Sequence, residues 1–132
     1  MSKEKKKKLN TNNKESEDSY RHLLKLAIAE LNKNNYSAFI CSLTSVIDHC
    51  KQENLAIEAK FWLALIYEKG LGFGSNEKNQ AFNYYEEVFD SNSKFKEKAR
   101  DHLIMCYSQG IGVKKDVSKA EELYSGKPKK IK

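Results

Sequence analysis

Five residues recur in the same order 40 positions apart: Ala59, Leu63, Tyr67, Gly70 and Gly72 are answered by Ala99, Leu103, Tyr107, Gly110 and Gly112. Past the second glycine the spacing falls to 39, so that Ala81 pairs with Ala120 and Tyr85 with Tyr124. One residue is therefore missing from the second loop. A period of about 40 residues with helical spacing inside it describes paired helices that cannot bury their apolar faces alone and must stack on a neighbour. The period limits the chain to a row of similar helical hairpins.

The spacing of apolar residues predicts six helices. Tyr20, Leu24, Ala27, Ile28 and Leu31 mark the first, and Asn32 to Asn35 break it. Tyr36, Phe39, Ile40, Leu43, Val46, Ile47 and Cys50 mark the second. Asn54 is the expected cap of the third, which carries Ala59, Trp62, Leu63, Ile66 and Tyr67 and stops at Gly70. A loop containing Gly70, Gly72 and Gly74 leads to the fourth, with Ala81, Phe82, Tyr85, Val88 and Phe89. Asn92 or Ser93 should cap the fifth, which carries Phe95, Ala99, Leu103, Cys106 and Tyr107 and ends at Gly110. Asp116 should cap the last, with Ala120, Leu123 and Tyr124. No stretch alternates as a half-buried strand does, and the single proline, Pro128, comes after the last helix. The fold class is all-α.

The string Ala-x-x-x-Leu-x-x-x-Tyr-x-x-Gly-x-Gly, followed by Ala-x-x-x-Tyr, resembles the Sel-one-like repeat, a relative of the tetratricopeptide repeat. The run from Tyr107 through Gly110, Gly112 and Asp116 to Ala120 is similar to that family's loop and second helix. The resemblance covers residues 59–124 and implies a short right-handed solenoid of about three hairpins that binds a protein or peptide on its concave wall. Its chemistry is legible in the residues: Ala59, Ala64, Ala81, Ala99 and Ala120 let paired helices approach closely, and Leu and Tyr fill the space between hairpins.

Residues 20–53 depart from the pattern. Leu26, Ala27 and Glu30 align with Leu63, Ala64 and Tyr67 at an offset of 37, but Glu30 stands for a tyrosine and Asn34-Asn35-Tyr36 for the glycine loop. The expected organisation is a degenerate first hairpin at 18–53, a first repeat at 54–92 and a second at 93–126. Lys-rich ends at 1–17 and 127–132 are expected to stay unfolded, because they hold too little apolar surface to offset ordering.

Net charge is +6, but the ends contribute +3 and +4 while residues 18–126 sum to −1. Nucleic-acid contact is thus expected only through the ends. Arginine, the residue suited to bidentate phosphate recognition, occurs only as Arg21 and Arg100. No apolar run approaches the roughly 18–20 residues that span a bilayer, and no apolar stretch succeeds the first lysines as in a secretory signal. Cys41, Cys50 and Cys106 are odd in number and lie on or beside apolar stripes, as core thiols of a reducing compartment would. Cytoplasm is the expected location, with the nucleus, or export by a non-classical route, left open.

Convergent chemistry is hard to find. His22, His49 and His102 fall on three helices, and adjacent residues such as Asp48, His49 and Cys50 point about 100° apart on a helix. Gly70-Leu71-Gly72-Phe73-Gly74 comes after a helix and lacks the Gly-Lys-Ser/Thr ending of a phosphate loop. The chain is expected to be no enzyme and to need no metal or cofactor. If the first helix of each hairpin lines the concave wall, Phe61, Leu65 and Glu68, with Asp101, Met105 and Ser108 one repeat later, should face a protein or peptide partner. The other reading is an accessory protein of an RNA–protein assembly, contacting phosphates through its lysine-rich ends.

Overall fold

Three left-handed residues, Asn34 at φ 62°, Gly70 at 71° and Gly110 at 73°, each close a helix in the computed structural model, which describes residues 18–72 and 76–126. Helix α1 occupies residues 18–32 and α2 Tyr36–His49. They are followed by α3 at Glu53–Glu68, α4 at Glu77–Asp90, α5 at Lys96–Gln109 and α6 at Val117–Ser125. There is no strand among the described residues. The fold is the all-α helical repeat that the period predicts. The ends at 1–17 and 127–132, and Phe73 and Gly74 of the glycine loop, lie outside the described residues.

The three helix ends share one long hydrogen bond, from the residue after the left-handed one back five residues, and the first two also share a shorter one. Asn35 N donates to Glu30 O at 2.9 Å and Asn34 N to Leu31 O at 2.9 Å. Leu71 N donates to Ile66 O at 3.1 Å and Gly70 N to Tyr67 O at 3.0 Å. Ile111 N likewise reaches back to Cys106 O at 2.9 Å. This termination needs one left-handed residue, which glycine supplies without steric cost and asparagine tolerates. Asn34 therefore does in the first pair what Gly70 and Gly110 do later. Matching these caps sets the offset of the first pair at 36 rather than the 37 read from Leu26 and Ala27. The side chain at Asn35 then opens α2, accepting from Ala38 N at 3.4 Å while donating to Glu30 at 2.9 Å.

Contacts divide the chain after Ala59 into two compact units. In the first, Phe39, Leu43 and Val46 lie on one stripe of α2 and are fully buried, with Leu24 and Ala27 of α1 also in the core. Leu26, aligned by spacing with a core leucine, is instead 49% exposed. Cys41 is exposed rather than packed, because it falls on the opposite side of α2 from Phe39 and Leu43.

In the second unit Phe61, Leu63, Ala64, Ala81, Phe82, Tyr85, Val88, Ala99, Leu103, Cys106 and Ala120 form the core. Every alanine expected to allow close helix approach is 5% exposed or less. Trp62 and Phe89, on the apolar stripes read from spacing, are half-buried, as is Tyr84. Polar ties run between the helices. Lys60 of α3 pairs with Glu87 of α4 at 3.1 Å, and Arg100 of α5 donates to the Gly126 carbonyl at 2.9 Å, holding down the end of α6. Gly112, at φ 69°, lies so close to α4 that a Cβ there would collide with the Lys78 carbonyl. Asp116 caps α6 by accepting from Lys119 N at 3.0 Å, as its position predicts. Two expected caps differ. Helix α3 begins at Glu53, which puts Asn54 inside its first turn. Helix α5 begins after Phe95, whose N–H donates to Ser93 Oγ at 3.3 Å, so Ser93 supports the entry without being the cap residue.

Candidate functional site

The six residues expected on a concave wall divide into a buried cluster and an open surface. Phe61 is 5% exposed, its ring stacked on Phe95 at 5.1 Å and edge-on to Tyr85 and His102 at 6.2 and 6.0 Å. Its expected exposure is thus corrected: an aromatic surrounded by three rings is core. Glu68 is withdrawn too, its side chain 19% exposed. It accepts a hydrogen bond from the Tyr85 hydroxyl at 2.7 Å and meets His102 Nδ1 at 3.0 Å. Leu65 is half-buried. Asp101 and Met105 are exposed, and Ser108 is half-buried, donating to the Met105 carbonyl at 3.1 Å.

Glu68, Tyr85 and His102 come from α3, α4 and α5, so the cluster joins one helical pair to the next. The His102 ring lies parallel to Tyr85, with centroids 4.7 Å apart and planes within 8°. The hydrogen bond from His102 and that from Tyr85 hold the Glu68 carboxyl below its ordinary value against the opposing effect of burial. Burial, and then Glu68, push the Tyr85 phenol up, which keeps it protonated and able to donate. Burial also pushes the neighbouring Cys106 thiol up to about 12, again helped by Glu68. A thiol so raised is protonated near neutral pH and is a poor nucleophile. The cluster contains an acid, an imidazole and a phenol, yet its geometry spends them on one another. It is a clamp between repeats.

The open surface belongs to α5 and α6. A cleft of about 400 Å³ there is lined by Ile104, Ser108, Val117, Ala120, Glu121 and Tyr124. Tyr124 is 67% exposed, Val117 50% and Met105 45%. Tyr124 corrects the pattern most sharply. It occupies the position of Tyr85, which is fully buried. The difference has a simple cause: Tyr85 is covered by α5, the helix next after its pair, and no helix comes after α6 among the described residues. Ser108 is the one expected site residue that lines the cleft, and Met105 is exposed on the same helix. Val117 and Tyr124 were legible only by asking which repeat positions lose their cover in the last described repeat.

A second feature escaped the charge count. Lys94 and Lys98 lie 5.3 and 6.0 Å from the centre of the Phe95 ring. Lys96 and Arg100 lie 5.3 and 5.2 Å from that of Phe89. The start of α5 thus gathers three lysines, Lys94, Lys96 and Lys98, against aromatic rings, while Arg100 is paired with Glu97 at 3.0 Å. Among the described residues, no group of three or more His, Cys, Asp or Glu side chains is placed to hold a metal ion. None of their helices is long and apolar enough to cross a membrane.

Comparison with known proteins agrees with the period. The family model of the Sel1 repeat matches residues 57–87 and 105–125. No curated protein and no solved structure matches the chain.

Proposed function

The chain is a Sel1-like repeat protein, a class whose repeats generally mediate protein–protein interaction, and from that premise we propose that it is a non-enzymatic scaffold or adaptor module whose docking surface is the exposed face of α5 and α6. One observation carries the reading. Three large apolar side chains, Met105, Val117 and Tyr124, stay in solvent on α5 and α6, where an apolar cleft is open. Exposed apolar groups in a contiguous patch mark interaction sites, whereas scattered ones do not. Tyrosine is suited to such a place because it brings a large rigid contact area and a polar tip. Asp101, Ser108 and Glu121 supply polar groups on the same two helices, as the rim of an interface requires. Leu65, half-buried on α3, does not line this cleft, while Phe61 and Glu68 act by fixing the helices rather than by touching the partner.

The test is a photo-reactive amino acid at Val117, on the lining of the cleft, in cells that make the protein. Adducts to protein that disappear in Tyr124→Glu support the reading. Adducts to nucleic acid, or protein adducts indifferent to Tyr124→Glu, count against it. The second reading, contact with an RNA–protein assembly, draws on the lysines gathered around Phe89 and Phe95. It predicts affinity that falls steeply with salt, whereas an apolar cleft responds little.

A further inference from the structure

The occupant of the cleft is written into the repeat, and this inference rests on the reading of the cleft as a docking surface. Inside the second unit, the chain shows how one helical pair is covered by the next helix. Tyr85 of α4 is buried beneath His102 of α5. The repeat carries this contact forward and backward. An offset of 39 places Tyr124 where Tyr85 stands. Backward, the left-handed caps Asn34, Gly70 and Gly110 place α1 against α5 at an offset of 76, and the residue of α1 that stands where His102 stands is Leu26. The same offset sets Ala27 against Leu103, and both are buried.

Both halves of the contact are therefore present and both are exposed: Tyr124 at 67% and Leu26 at 49%. Outside α5 and α6, Leu26 is the one other large apolar side chain with such exposure among the described residues. We infer that α1 of a second copy of this chain docks in the α5–α6 cleft, setting Leu26 on Tyr124 as His102 is set on Tyr85. Charge agrees with the pairing. Exposed Lys25 stands beside Leu26, and Glu121 lines the cleft with exposed Glu122 beside it. The contact joins two different surfaces, so it is heterologous, and repetition yields a ring or a filament rather than a closed two-fold dimer. A single helix entering a cleft buries less than a standard interface, which implies weak association that depends on concentration.

The experiment tracks the full chain by sedimentation from about 1 µM to about 1 mM, the range in which weak association shows. Wild-type mass should rise steadily with concentration. Leu26→Glu leaves a cleft without an entering helix, and Tyr124→Glu leaves a helix without a cleft. Each alone should stay monomeric, with self-affinity reduced at least about thirtyfold. Mixed in equal amounts, the two variants should form a heterodimer and stop there, which also shows that both are folded. The milder pair Leu26→Ser and Tyr124→Ser should repeat the pattern. A wild-type chain that remains monomeric throughout overturns the inference, as does association lost in Tyr124→Glu but kept in Leu26→Glu, or a mixture that fails to pair. Cross-linking at Val117 to a different protein, alongside a monomeric wild type, would remove this occupant while leaving the docking surface in place. Loss of both would remove the two together.

Discussion

Replacing Tyr85 and Tyr124 by alanine one at a time perturbs the same residue at the same repeat position in two environments. Tyr85 is 0% exposed, stacked on His102 at 4.7 Å, and donates to Glu68 at 2.7 Å. Truncating a core aromatic costs about 3–5 kcal/mol, a large share of the roughly 5–15 kcal/mol that holds a domain together. Tyr85→Phe divides that loss. It keeps the stack and removes only a hydrogen bond to a carboxylate, worth about 1.5–3 kcal/mol, and because His102 still contacts Glu68 the lower end is expected. Tyr124 is 67% exposed, and changes at surface positions fall within about ±0.5 kcal/mol. For a folded unit of this size each kcal/mol moves the melting point by roughly 4–8 °C, so Tyr85→Ala should melt at least about 12 °C lower while Tyr124→Ala melts within a few degrees of wild type. Urea and thermal unfolding monitored by far-UV circular dichroism, on dilute protein to suppress association, reads both. Equal losses at the two tyrosines would refute the reasoning, since they would mean that Tyr124 is as covered as Tyr85.

Three further outcomes rest on single groups. Glu68 titrates below its ordinary value in the fold, so its contribution is fully present above about pH 4.5 and is lost as pH falls through the lowered value; Glu68→Gln should flatten that acid limb in urea melts at pH 3 and pH 5. Native alkylation at pH 8 should label exposed Cys41 first and spare Cys106, whose thiol is buried and raised to about 12, until the protein unfolds; mass spectrometry of timed samples gives the order. Gly112→Ala should destabilise by about 1–3 kcal/mol in urea melts, because the residue is left-handed and a Cβ would strike the Lys78 backbone.

The repeat was readable because its demands are local. A left-handed cap needs glycine or asparagine, a close helix crossing needs alanine, and both leave marks at fixed spacing, as Gly70, Gly110, Ala81 and Ala120 do. The exact register of the first pair was not, since Asn34 serves as the cap without looking like the glycine it replaces, and the misread offset aligned exposed Leu26 with buried Leu63. Phe61 and Glu68 were misjudged for a related reason. Helical spacing tells which residues share a face, but only the position of Phe95, Tyr85 and His102 in space tells that this face is covered. The exposed cleft was the least legible part, because Tyr124 is the same residue type at the same repeat position as Tyr85, yet 67% exposed where Tyr85 is buried.

The most direct measurement of the central claim is hydroxyl-radical footprinting of the chain alone and in the assembly it forms, read at Met105, Tyr124 and Cys41. All three side chains are reactive and exposed, at 45% for Met105 and 67% for Tyr124. Oxidation of Met105 and Tyr124 should fall on assembly while Cys41 keeps its rate. Protection of Cys41 with Met105 and Tyr124 unchanged would place the partner elsewhere and contradict the claim.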